Sequence, residues 1–268
     1  MTAATPPAMR PSGNGLADLQ AAPAPLRGAP LLVPTRIGLW VGVQLVVAAV
    51  LIASGTTAAG QALNAVAAWW MVYVAVVDFG TLGVIFWLLR RQGYSYRGLL
   101  GPPAAAWQVA LGALGVLAAT MPAVAFGAEV NKAFYGDATL PMFAVVDVPA
   151  WASVFGVLAV PVLTELAEPV AYLGVLLPWL ERRIGRSWLA ATVVVVIWAA
   201  EHAFAPLLTR DGGLDLVFAG YRVVSVLPFL AVWTALYYAF GRRLLPIMVA
   251  RWVFNGGSAL AVALNLVG

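Results

Sequence analysis

The sequence predicts an all-α fold, a polytopic membrane bundle of about seven transmembrane helices, and three observations carry that prediction. Apolar residues make up 63% of the 268 and charged residues only 10%, with a mean hydropathy of +0.92, far from the balance of a soluble domain. Stretches of about 20 apolar residues, enough to cross a bilayer, recur at 37–55, 64–89, 104–127, 151–178, 188–208, 217–240 and 245–266. Lysine and arginine also gather on one side when these stretches are taken to alternate.

Residues 1–35 hold seven of the eighteen prolines and show no helical periodicity, so they are expected to form a flexible cytoplasmic tail. No apolar stretch of sufficient length follows Arg10 to make a signal peptide. Residues 36–268 then read as a single transmembrane helical domain. The first stretch follows Arg36, the second ends on Arg90 and Arg91, and the fourth ends before Arg182 and Arg183. Glu201 and His202 interrupt the fifth, and Arg222 lies inside the sixth.

One side collects Arg10, Arg27, Arg36, Arg90, Arg91, Arg97, Arg182, Arg183, Arg186, Arg242 and Arg243, eleven cations against two, Lys132 and Arg210, on the other. Cytoplasmic loops carry the excess. The expected location is therefore a bacterial-type inner or plasma membrane, with the amino terminus in the cytoplasm and the carboxyl terminus outside. The acidic residues Glu129, Asp137, Asp147, Asp211 and Asp215 fall on the outer side.

Several function classes drop out. The chain has no cysteine and one histidine, His202, which removes thiolate sites, a cysteine nucleophile and the usual zinc sets; no metal and no cofactor is implied. The basic residues are dispersed pairs beside apolar runs, which argues against nucleic acid and for membrane lipid as the surrounding partner. Lys132 is the only lysine and is expected in a loop, so no span carries a Schiff-base amine of the retinal-protein kind.

Ionisable side chains inside lipid cost about 2.5–3.5 kcal/mol each by insertion scales, so each needs a reason. The spans hold Asp78, Glu165, Glu168, Glu201, His202, Arg222 and Arg251, with Asn255 as an uncharged companion. Glu165 and Glu168 are three apart and project from one helical face, two carboxylates in low dielectric suited to exchanging protons. Glu201 and His202 point about 100° apart, so at most one is expected to face a site squarely. Arg251 and Asn255 share a face one turn apart. Counted from the cytoplasmic ends, Glu168, His202 and Asn255 come to roughly 20, 22 and 15 Å of depth, as a shared polar cavity requires. Asp78 reads as an interhelical hydrogen-bond partner, and Arg222 as a side chain snorkelling to the outer surface.

The stretch "TELAEPVAYLGVLLPWLERRIG" resembles the first motif, E-E-x-x-x-R-G, of the CAAX-protease and bacteriocin-processing family of intramembrane endopeptidases, also called the Abi family. Aligned on Gly174, the first glutamate is Glu168, the second is replaced by Pro169 and the arginine by Leu173. "WAAEH" is similar to the second motif, F-x-x-x-H, with Trp198 for phenylalanine and His202 as histidine. "RWVFN" is similar to the third, H-x-x-x-N, with Arg251 for histidine and Asn255 as asparagine, and "RRQGYSYRGLLG" resembles the loop after an early span. The resemblance implies a hydrolase in which Glu168 is the general base, His202 assists it and Asn255 donates to the oxyanion, with Glu165, Glu201 and Arg251 supporting the site or binding substrate.

Three functions follow. One is a peptidase acting on a membrane-embedded, membrane-proximal peptide. The second is an enzyme of the same fold turned to an isoprenoid or other lipid-like substrate whose anionic head Arg251 grips. The third is a catalytically silent relative that binds a partner in the membrane, as an immunity or scaffold protein does. Loss of both Pro169's and Leu173's charged counterparts removes an ion pair as a unit, which is tolerable, whereas Arg251 cannot act as a base.

Overall fold

A computed structural model describes residues 26–67, 69–136, 150–204 and 216–263. The described residues are helical and contain no strand. The helices are α1 (Leu32–Ala53), α2 (Ala62–Ala67), α3 (Trp70–Gln92), α4 (Tyr96–Leu99), α5 (Ala106–Tyr135), α6 (Ala150–Pro169), α7 (Leu177–Ile184), α8 (Ser187–Glu201), α9 (Leu216–Ala239) and α10 (Leu245–Ala263). Six runs are long and apolar enough to cross a membrane, namely Ala29–Ala53, Trp70–Gln92, Ala106–Tyr135, Val154–Ile184, Ser187–Phe204 and Leu216–Ala239. Helix α10, of 19 residues, is not among these six, a number consistent with the expected count of about seven. Phe79, Leu158, Trp107 and Leu216 on the outside are 71, 68, 64 and 73% exposed, a surface that only lipid would cover.

Some boundaries differ from expectation for local reasons. The packed region begins ahead of residue 36: Leu26, Ala29 and Leu32 are buried against α3 and the segment after α6. The rest of the expected tail, residues 1–25, lies outside the described residues, as do Asp137, Asp147, Arg210, Asp211 and Asp215. The second stretch is two helices, because Trp69 at φ −95°, ψ 15° leaves the helical region; α2 then packs back on α1. Helix α5 runs past 127 to Tyr135, which places Lys132 in its last turn instead of a loop, where a cation faces the helix's negative end.

Packing centres on α6. It lies along α3 and α10, while α10 also packs on α5, α5 on α9, α9 on α8, and α1 on α3. Gly156 makes the closest approach: a Cβ there would stand 2.1 Å from Met71 Sδ. The main core gathers Tyr172, Leu173, Leu177, Val194, Trp198, Tyr237 and Ile247, and a smaller one joins Trp40, Leu51, Val66, Tyr73 and Val77.

The α4 connection is tied to the α9–α10 turn, with Leu244 N–H donating to Leu100 O at 3.0 Å. Gly101 sits in this contact at φ +86°, and a Cβ would lie 2.3 Å from Arg242 O. Gly101→Ala combines left-handed strain with a backbone collision, so it is expected to destabilise the solubilised protein by about 2 kcal/mol or more, read as a lowered melting temperature.

Candidate functional site

Two prolines shape the helix that carries the carboxylates. Pro161 and Pro169 lie within α6, and Pro169 lacks the N–H that would bond the carbonyl of Glu165. Directly beyond it the backbone winds as a π-helix over Val170–Leu176, every residue of which is buried. Such widened turns recur at functional sites. From outside the span, the Tyr96 hydroxyl donates to the carbonyl of Leu166 at 2.5 Å. Burial pushes the Tyr96 phenol's pKa up, so it stays a donor.

Glu165 and Glu168 both face α10. Arg251 Nε donates to Glu165 Oε2 at 2.7 Å, and its Nη2 donates to Glu168 Oε2. The guanidinium also lies over Trp233 at 4.2 Å and near Trp198 at 5.3 Å, so its faces are engaged as well as its Nε and Nη2. Asn255, one turn on, donates from Nδ2 to Glu165 Oε1 at 2.7 Å.

The other oxygen of Glu168 faces α8. His202 Nε2 is 3.8 Å from Glu168 Oε1, and Nδ1 is 2.9 Å from the carbonyl of Trp198. A carbonyl only accepts, so Nδ1 carries the hydrogen and Nε2 presents a lone pair toward Glu168. Trp198, at the second motif's aromatic position, is fully buried and stacks on Tyr172 with centroids 4.8 Å apart.

The residue that sequence reasoning missed is Arg36. Expected among the cytoplasmic flanking charges, it is instead 1% exposed at the centre of a second ion cluster. Its Nε donates to Glu201 Oε1 at 2.8 Å, its Nη1 to Asp78 Oδ1 at 3.2 Å and to Thr81 Oγ1 at 3.0 Å, and Nη2 stands 4.0 Å from Glu168 Oε1. Trp40 Nε1 also donates to Glu201 Oε1 at 2.7 Å, and Thr164 Oγ1 to Asp78 Oδ2 at 2.6 Å. A signal existed: Arg36, Trp40, Gln44 and Ala48 recur every four residues and all are buried, the inner face of α1.

The expected site residues therefore separate. Glu165, Glu168, His202, Arg251 and Asn255 form one connected group, and Asp78 is the interhelical partner expected of it. Glu201 is not turned into that group; it holds Arg36 and Trp40, and Arg36 links it to Glu168. Both members of the Glu201–His202 pair are thus engaged, because the helix ends between them and His202–Phe204 form a tighter 3₁₀ turn. Arg222 does not snorkel outward: it is 8% exposed, inside the bundle. Leu173, at the expected arginine position, is fully buried among apolar neighbours.

Residues 149–257, from the start of α6 into α10, match the family model described as type II CAAX prenyl endopeptidase Rce1-like. The matched segment includes Glu168, His202 and Asn255. No curated protein and no solved structure matches the chain.

Proposed function

We propose that the chain, an integral membrane protein by its long apolar helices and similar over residues 149–257 to Rce1-like CAAX endopeptidases, is a protease of that kind that cleaves a membrane-proximal peptide with water activated between Glu168 and His202. One observation carries the reading. Arg251 takes Oε2 of Glu168, while Oε1 and His202 Nε2, both acceptors, face each other 3.8 Å apart. A water donating to both would lose a proton to Glu168 as it attacks, and His202 would steady the second hydrogen. The cation Arg36, 4.0 Å from the same oxygen, holds the carboxylate in place.

Asn255 uses one amide hydrogen on Glu165 and keeps the other, which supports a role beside a developing oxyanion. Arg251 already pairs with two carboxylates and lies against two indoles, which weighs against a lipid-head grip at that residue. The same pairing favours a second reading, a catalytically silent relative in which Arg251 quenches Glu168.

The test uses the full chain in detergent with a quenched fluorescent farnesylated peptide, the substrate chemistry named by the family. His202→Ala is expected to reduce cleavage roughly 10²-fold or more with an unchanged melting temperature. Undiminished cleavage in this variant would remove the water-activation reading, and no cleavage by the native protein would favour the silent one.

A further inference from the structure

Three guanidiniums lie inside the bundle near Glu168, and two of them, Arg36 and Arg251, are shared among Asp78, Glu165, Glu168 and Glu201. The third, Arg222 on the second turn of α9, has no such arrangement. It is 8% exposed, and among the described residues its Nε has no hydrogen-bond partner and it joins no ion pair. A second donor accompanies it: the hydroxyl of Tyr73 on α3, 1% exposed, also has no partner among the described residues and lies within electrostatic reach of Arg222. Arg222 is in reach of His202 and Glu168 as well, and α9 packs directly on the His202–Phe204 turn.

A buried cation with no ion-pair partner among the described residues is unfavourable, and the phenol near it leaves a second buried donor unpaired. Glu168 cannot supply the acceptor, because Arg251 holds its Oε2 and its Oε1 faces His202. We infer that Arg222 and Tyr73 form a subsite for a carboxylate of the peptide substrate, on the α9 side of the Glu168–His202 pair; this rests on the peptidase reading.

The chemistry selects the ligand. A guanidinium offers two parallel N–H groups that match the two oxygens of a planar carboxylate, and the phenol adds a third donor. A phosphate dianion would need a second free cation, and the neighbouring guanidiniums are occupied. Anchored there, a carboxylate sets which peptide bond lies over Glu168 Oε1. The free carboxyl terminus of the peptide is the source that a fixed register requires.

The experiment compares three farnesylated quenched peptides on the full chain in detergent: one ending in a free acid, one in an amide, and one amide peptide with an aspartate placed one residue inward. Cleavage is followed by fluorescence release, and binding separately by tryptophan quenching. The native protein is expected to prefer the acid over the amide by ~10-fold, mainly in KM and in the binding constant. Arg222→Met is expected to bring that ratio to about one, Arg222→Lys to keep part of it, and Tyr73→Phe to reduce it severalfold. Recovery by the aspartate peptide that Arg222→Met abolishes would support the subsite with a side-chain carboxylate as the source. Equal handling of acid and amide by the native protein, or an unchanged preference in Arg222→Met, overturns the inference. Should Arg222→Met fail to fold, Arg222→Lys and Tyr73→Phe decide it on the same ratio. If no peptide is cleaved, the peptidase reading fails, while the acid-to-amide binding ratio still decides the subsite.

Discussion

Glu168→Gln is expected to lower kcat by roughly 10²–10⁴-fold, the contribution of a positioned general base, with little change in KM. The substitution is conservative where it matters for folding. A glutamine carbonyl still accepts from Arg251, and its amide N–H₂ turns toward the lone pair of His202, where a carboxylate oxygen stood 3.8 Å away. Helical content and melting temperature therefore stay near native while the proton acceptor is gone. Cleavage retained within tenfold of native, in a protein with native stability, would show that Glu168 is not the base.

Arg36→Met is expected to have the largest effect on stability. It leaves Asp78 and Glu201, both about fully buried, without their shared cation. Stranding buried charges in this way costs about 3–5 kcal/mol, which lowers the melting temperature by on the order of 10 °C for a chain of this size. Arg36→Met combined with Asp78→Asn and Glu201→Gln removes the orphaned charges and is expected to restore most of the loss, since Thr164 and Trp40 still bond the amides. A loss under about 1 kcal/mol in the single variant, measured by thermal or denaturant unfolding in detergent, would mean that the cluster carries no net stability.

The helices were legible because lipid makes length and apolarity sufficient signals: α9 was expected over 217–240 and spans Leu216–Ala239. The pairs Glu165–Glu168 and Arg251–Asn255 were legible because helical spacing fixes which residues share a face, and they do converge. What stayed hidden depends on contacts between distant spans. Arg36 looked like a flanking charge because it opens an apolar run, and only α3 and α8, brought alongside α1, reveal it as buried. Moving it inside leaves ten cations against two, so the charge asymmetry was insensitive to the error. Arg222 was misplaced for a related reason: near a helix end, an arginine that reaches the surface and one that turns inward have the same local sequence. The division of labour between Glu201 and His202 was hidden too, since it follows from a change of winding at the end of α8 that periodicity does not announce.

The partnership between Arg36 and Glu201, 165 residues apart, bears on how the chain is made. While a ribosome is still threading the middle of the polypeptide into the bilayer, the first span carries a guanidinium whose main counter-ion has not yet been synthesised. Until α8 emerges, that span must keep Arg36 at the headgroups or lean on Asp78 of α3, so its final seating is postponed to a late stage of translation.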